Sequence, residues 1–76
     1  MTVLYSKQGC PPCNTLKRLF DSKGYKYIVK DISEEKHRQE LYSNYNVATV
    51  PVVDFGDEFV VGLNLPVIMK KLTQAV

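Results

Sequence analysis

Two cysteines with two prolines between them constrain this 76-residue chain more than any other feature. Cys10 and Cys13 are its only cysteines, and they lie between an apolar stretch at 2–5 and an amphipathic segment at 15–23. A C-x-x-C pair at a junction from strand to helix holds two sulfurs within one helical turn. The first sulfur then lies beside N–H groups that the helix leaves unpaired. This arrangement is suited to the exchange of a disulfide.

The length predicts one domain, residues 1–76, and the protein is expected to be a monomer in the cytoplasm. The net charge of +2 comes from scattered basic residues, which argues against binding to nucleic acid. The apolar runs are too short to cross a membrane, and the N-terminus lacks the charged and apolar regions of a secretion signal. Two cysteines do not make a disulfide framework, so a reducing compartment is the default.

The hydrophobic pattern predicts an α/β fold with the order βαβ followed by ββα. The expected strands are 2–5, 25–30, 50–53 and 58–61, and the first is nearly all apolar, which favours a central position. The first two strands should be parallel because a helix connects them. The expected helices are 15–23, 33–45 with Ser33 as its N-cap, and a last one capped by Asn64. A four-stranded mixed sheet covered by three helices follows.

Several apolar residues are expected to point inward from these helices. They are Cys13, Leu16, Leu19 and Phe20 in the first helix, Leu41 and Tyr45 in the second, and Leu65, Ile68 and Leu72 in the last.

Disulfide exchange begins with attack by a thiolate, which assigns different roles to the two cysteines. Cys10, the outer residue, is the expected nucleophile, and its pKa should lie below the value of about 8.5 for free cysteine. The helix N–H groups supply most of that stabilisation, and Lys7 on the same loop adds a positive charge. Cys13, one turn further on, is the expected resolving thiol. Pro11 and Pro12 hold the sulfurs close but also remove N–H donors, and the sequence leaves open which effect is larger.

These residues also have less specific explanations. Two buried structural cysteines rarely need this spacing, and half of a zinc or iron–sulfur site would require ligands from a second chain. Lys7 can equally be an ordinary solvated lysine, and His37 is expected to be an exposed helix residue with no role. Pro51 at the start of a strand usually marks only an edge, and the residues alone do not predict a cis bond before it.

Taken together, the motifs resemble the glutaredoxin family over nearly the whole chain. The matching features, in order, are Tyr5-Ser6-Lys7, Cys10-Pro11-Pro12-Cys13, Thr49-Val50-Pro51, and Gly62 after a short hairpin. The resemblance implies a thioredoxin-like fold and a dithiol–disulfide oxidoreductase that serves in electron transport and cell redox homeostasis. The redox-active pair would act without a bound cofactor, with glutathione as the reductant.

The resemblance also implies a binding site for glutathione and for disulfide-containing proteins. Pro51 would be cis and face Cys10, and the backbone of Val50, next to Thr49, would pair with the substrate as an added strand. Lys7 and Arg38 would bind a carboxylate of glutathione. Backbone N–H groups and one side chain for the other end of glutathione would come from Gly62, Leu63 and Asn64.

The chain departs from the family pattern at two places. Pro12 stands where dithiol members usually carry tyrosine, and residues 61–65 lack the usual second glycine and the acidic pair. The single glycine, with Pro51-Val52-Val53 before it, is closer to the NrdH-type redoxins, which draw electrons from thioredoxin reductase and serve ribonucleotide reductase. The Cys-Pro-x-Cys form and the triplet Thr49-Val50-Pro51, in contrast, resemble a glutaredoxin. Thioredoxin itself does not fit, because the chain has no tryptophan and no Cys-Gly-Pro-Cys.

Overall fold

The computed structural model describes residues 1–74, so positions 75–76 of the predicted domain lie outside the described residues. The elements are β1 (Val3–Ser6), α1 (Pro11–Ser22), β2 (Ile28–Asp31), α2 (Glu35–Tyr45), β3 (Val52–Asp54), β4 (Phe59–Val61) and α3 (Leu65–Gln74). The predicted order, βαβ and then ββα after the second helix, is confirmed. No helix within this part of the chain is long and apolar enough to cross a membrane.

The four strands form one mixed sheet in the order β2-β1-β3-β4. β1 is internal, as its apolar sequence predicts, and it runs parallel to β2 and antiparallel to β3. Tyr5 pairs with Lys30 on one side and with Val52 on the other. The C-terminal end of β1 and the start of β3 therefore lie at the same end of the sheet, and the loop that carries Cys10 leaves from that end.

Side chains alternate along β1, so its two faces support two separate cores. Leu4 faces a cluster that α1 and α3 cover, and Tyr5 faces a smaller one beneath α2. The buried members of the larger core are Leu4, Leu16, Phe20, Val53, Val60, Ile68 and Leu72. Those of the smaller core are Tyr5, Leu41 and Val52.

The boundaries of two helices differ from the expectation. α1 begins at Pro11, four residues before the predicted start at 15, with prolines at its first two positions. Prolines fit there because the first N–H groups of a helix have no partner within it. α2 begins after Glu34 rather than after Ser33, because the Ser33 N–H donates to the Asp31 carboxylate at 2.8 Å in a turn.

One expectation about packing and one about the length of a strand are also wrong. Leu65 is 40% exposed at the start of α3, whereas Ile68 and Leu72 are buried as predicted. β2 is shorter than the predicted 25–30, because Tyr25 and Tyr27 pack on Phe20 instead of joining the sheet. The two tyrosines thus pack in the core below α1 and do not take part in the hydrogen bonding of the sheet.

Candidate active site around a disulfide

Cys10 and Cys13 form a disulfide at the N-terminus of α1, with their Cα atoms 5.2 Å apart. Cys10 is the N-cap, and its Sγ accepts a hydrogen bond from the Cys13 N–H at 3.3 Å. The expectation that the first sulfur lies beside unpaired helix N–H groups is confirmed. Cys13 is fully buried and Cys10 is 5% exposed, so Cys10 is the more accessible of the two residues.

The two prolines shape the local electrostatics of this helix start. An N-cap side chain normally accepts from the N–H of the second or third helical residue, and here those residues are Pro12 and Cys13. Proline has no N–H, so the Cys13 amide is the one left to the sulfur, and the Asn14 amide bonds the Cys10 carbonyl at 3.0 Å. The donor that the Cys10 sulfur loses to proline is therefore the one at position 12.

The segment 49–51 enters the site from the neighbouring strand. The Val50–Pro51 peptide bond is cis, which confirms the prediction drawn from the resemblance. Pro51 is buried and lies one residue before β3. Because Val52 pairs with Tyr5, Pro51 lies at the end of the sheet where β1 ends. Direct contact between Pro51 and Cys10 stays a prediction. Thr49 is exposed and Val50 partly buried.

A backbone hydrogen bond holds Gly62 at the same end of the sheet. Its N–H donates to the Pro51 carbonyl at 2.8 Å, with a φ of 80°, a region that favours glycine. This N–H is therefore engaged within the protein rather than open to glutathione. Leu63 and Asn64, which follow it, are exposed beside the start of α3, and their role in binding glutathione stays a prediction.

The two predicted carboxylate partners are both exposed. Lys7 lies on the loop before Cys10. Arg38, in the first turn of α2, is 60% exposed and its Nη2 lies 3.8 Å from the Glu35 carboxylate. Arg38 also lines a cavity of about 390 Å³ whose wall reaches Ala48, directly before Thr49. The cavity thus extends from α2 to the residue before the segment 49–51, a feature that sequence reasoning missed.

Sequence reasoning also missed a polar cluster under α2. Glu40 accepts from Lys30 at 2.8 Å and from the Tyr5 hydroxyl at 3.2 Å, and the Tyr45 hydroxyl donates to the Asp54 carboxylate. The Lys30 ammonium lowers the pKa of Glu40. Burial, followed by the Asp54 bond, raises the pKa of Tyr45. No local signal marks these pairs, because their partners come from different strands and from α2.

His37 is not the exposed residue that was expected. Its side chain is 14% exposed, and Nδ1 lies 3.1 Å from the Asp31 carbonyl, where it joins α2 to the end of β2. Residues 1–74 contain no cluster of three or more histidine, cysteine and acidic side chains that could hold a metal ion.

Comparison with known proteins places these features in a family. A family model described as glutaredoxin matches residues 2–60. The N-acetyl-S-hydroxy-L-cysteine reductase of Bacillus subtilis (strain 168) is 42% identical over 55 residues, which make up 71% of this chain and 59% of that protein. The chain therefore spans less than two thirds of this relative's length.

Solved structures agree on the architecture. A glutaredoxin from Archaeoglobus fulgidus superposes with a TM-score of 0.81 at 25% identity, covering 96% of this chain and 85% of its own. The NrdH-redoxin from Escherichia coli superposes with a TM-score of 0.78 at 20% identity, over 91% of each chain. With this thioredoxin-like fold, a cysteine pair at the start of α1 and a family match over most of its length, the chain belongs to the glutaredoxin family.

Proposed function

We propose that the chain is a glutathione-dependent dithiol–disulfide oxidoreductase of the cytoplasm that uses no bound cofactor. The observation that supports this most is the Cys10–Cys13 disulfide at the start of α1, with the Cys10 Sγ accepting the Cys13 N–H. A sulfur in that position is stabilised as a thiolate, the form that attacks disulfides. Its substrates would be protein disulfides and glutathione mixed disulfides, and it would supply electrons to enzymes such as ribonucleotide reductase.

The reaction transfers two electrons from the cysteine pair to the target. The Cys10 thiolate attacks one sulfur of a target disulfide, the target S–S bond breaks, and the departing thiolate takes up a proton. A mixed disulfide now joins Cys10 to the other half of the target. The Cys13 thiolate then attacks the Cys10 Sγ and releases that half as a thiol. Two glutathione molecules reduce the Cys10–Cys13 disulfide and leave as oxidised glutathione.

Binding of glutathione would use charge at one end of the site and main chain at the other. Lys7 and Arg38 supply cations for a carboxylate, and Val50 supplies backbone groups for strand-like pairing. The backbone N–H groups of Leu63 and Asn64, together with the Asn64 side chain, would contribute the remaining polar contacts.

A second candidate keeps the chemistry but changes the electron donor. Residues 62–65 carry no carboxylate for the ammonium of glutathione, which favours thioredoxin reductase as the donor, as in NrdH-type redoxins. The loss of a charge-assisted hydrogen bond corresponds to roughly one to two decades in affinity. Glutathione should therefore serve this protein with a high KM.

A coupled assay separates the two donors. The oxidised protein is supplied with NADPH and either glutathione with glutathione reductase, or thioredoxin reductase, and NADPH consumption is followed with insulin as the disulfide substrate. Turnover with glutathione supports the proposal, and turnover with thioredoxin reductase alone supports the second candidate. The variant Cys10→Ser is the control for both. If neither couple reduces the protein and it is coloured or contains metal, a non-catalytic metal or iron–sulfur module replaces both proposals.

A further inference from the structure

Three segments lie at the end of the sheet from which the loop of Cys10 leaves, and we call them the site rim: residues 7–14, 48–51 and 62–65. The first segment carries Cys10. The sheet register brings Pro51, in the second segment, to the end of the sheet where β1 ends, and the hydrogen bond from Gly62 to Pro51 holds the third segment next to the second. All three lie within the described part of the chain, and the only charged side chain on them is Lys7. The register places Asp31 opposite Ser6, and its carboxylate already accepts the Ser33 N–H.

The third segment of the rim offers apolar rather than acidic surface. Leu63 is 41% exposed and Leu65 is 40% exposed. Asn64 between them is neutral and also exposed. Monomeric proteins tolerate single exposed leucines, but two of them on this segment would meet a substituent that extends from the attacked sulfur toward residues 62–65.

The charge of the rim discriminates between substrates because of the short reach of a cysteine side chain. In a cysteine-derived substrate only a few covalent bonds separate the sulfur from the α-nitrogen, so the nitrogen must lie on the rim when the sulfur meets Cys10. An ammonium there faces the like charge of Lys7, finds no carboxylate on the rim and loses water against leucine. An acylated nitrogen is neutral and carries an apolar group, and the free carboxylate of the same molecule matches Lys7.

We infer that the site rim selects small S-oxidised thiols whose α-amino group is acylated and whose carboxylate is free. This rests on the proposed function, since it names the substrates of the same cysteine pair. The Bacillus subtilis relative agrees in kind, because its name describes a reductase of an N-acetylated cysteine with an oxidised sulfur.

The chemistry balances for two oxidation states of such a substrate. With a disulfide, Cys10 displaces one thiol and Cys13 displaces the other, as above. With a sulfenic acid, the Cys10 thiolate attacks the substrate sulfur, the S–O bond breaks, and the departing hydroxide takes a proton and leaves as water. Cys13 then attacks the Cys10 Sγ and releases the substrate as a thiol. In both cases the pair loses two electrons and becomes the disulfide.

The test compares two stable disulfides that differ only in acylation, cystine and N,N′-diacetylcystine. The reduced protein is mixed with each, the reaction is quenched by alkylation, and the oxidised fraction is measured by mass spectrometry. Each rate is divided by the rate of the same disulfide with free dithiothreitol, which removes intrinsic reactivity. We expect the normalised rate for diacetylcystine to exceed that for cystine by about tenfold, the equivalent of one charge-assisted contact.

Three variants test whether the rim causes the preference. Asn64→Asp puts a carboxylate on the rim and should lower the preference by about tenfold. Asn44→Asp makes the same change at an exposed position near the C-terminal end of α2 and should leave the preference unchanged. Lys7→Gln should also lower it, by slowing the reaction of diacetylcystine, and provides a second test if Asn64→Asp folds poorly.

The possible outcomes separate this inference from the proposed function. Equal normalised rates for the two disulfides in the unmodified protein would overturn the inference and leave the oxidoreductase intact. A preference that survives both Asn64→Asp and Lys7→Gln would also overturn it. If the reduced protein reacts with neither disulfide, the proposed function fails and the inference fails with it.

Discussion

Pro12 occupies the second position of α1, where most helices present an N–H to the N-cap side chain. Here the N-cap is Cys10, and its Sγ accepts only from the Cys13 amide. Pro12→Ala adds a donor at this position without changing either cysteine. A hydrogen bond to a charged group contributes about 1.5–3 kcal/mol, and one pKa unit corresponds to about 1.36 kcal/mol. We therefore expect the pKa of Cys10 in the reduced protein to fall by about one to two units.

Pro11→Ala is the matched control for this prediction. It also replaces a proline by alanine, but the added N–H belongs to the first helical residue, which an N-cap side chain does not normally reach. Its effect on the flexibility of the first turn of α1 should equal that of Pro12→Ala. The assay is the rate of alkylation of Cys10 against pH in the Cys13→Ser background. Equal midpoints for the two alanine variants would refute the idea that a missing donor at position 12 limits the acidity of Cys10.

Three other predictions address catalysis, packing and pH. Cys10→Ser should abolish the reduction of protein disulfides, whereas Cys13→Ser should abolish it but retain turnover of glutathione mixed disulfides; normal activity in Cys10→Ser would reverse the assigned roles. Leu41→Ala should lower the free energy of unfolding by about 2–4 kcal/mol, measured by denaturant titration, because Leu41 is 1% exposed and is the only buried residue of α2. The pKa of Glu40 is lowered below 4.5 by Lys30, so its stabilising contribution is complete above that pH and is lost as pH falls through the lowered value. Glu40→Gln should therefore flatten the dependence of stability on pH in the acid range, and an unchanged slope would exclude this contribution.

The sequence predicts the parts of this fold that depend on local pattern. The apolar run at the N-terminus gives the central strand, and the spacing of Leu16 and Phe20 gives the buried face of α1. The cysteine pair is placed correctly because its spacing and its position between strand and helix are both visible in the sequence. The cis bond before Pro51 follows only from the family resemblance, since local preference opposes it.

The features that escaped prediction depend on contacts between neighbouring elements, which the pattern of a single element does not show. Ser33 has the character of an N-cap, but the Asp31 carboxylate binds its N–H first. His37 is partly buried because the end of β2 offers it a carbonyl. Leu65 has the character of a core residue but is 40% exposed at the start of α3, where Ile68 and Leu72 supply the buried face instead.

The central claim is that Cys10 is the nucleophile of a dithiol–disulfide exchange. The most direct measurement treats the reduced Cys13→Ser protein with oxidised glutathione and locates the adduct by mass spectrometry of its peptides. The account predicts one glutathione per chain, attached to Cys10, because no resolving thiol remains to release it. Absence of an adduct there, together with rapid adduct formation at Cys13 in the Cys10→Ser protein, would contradict it.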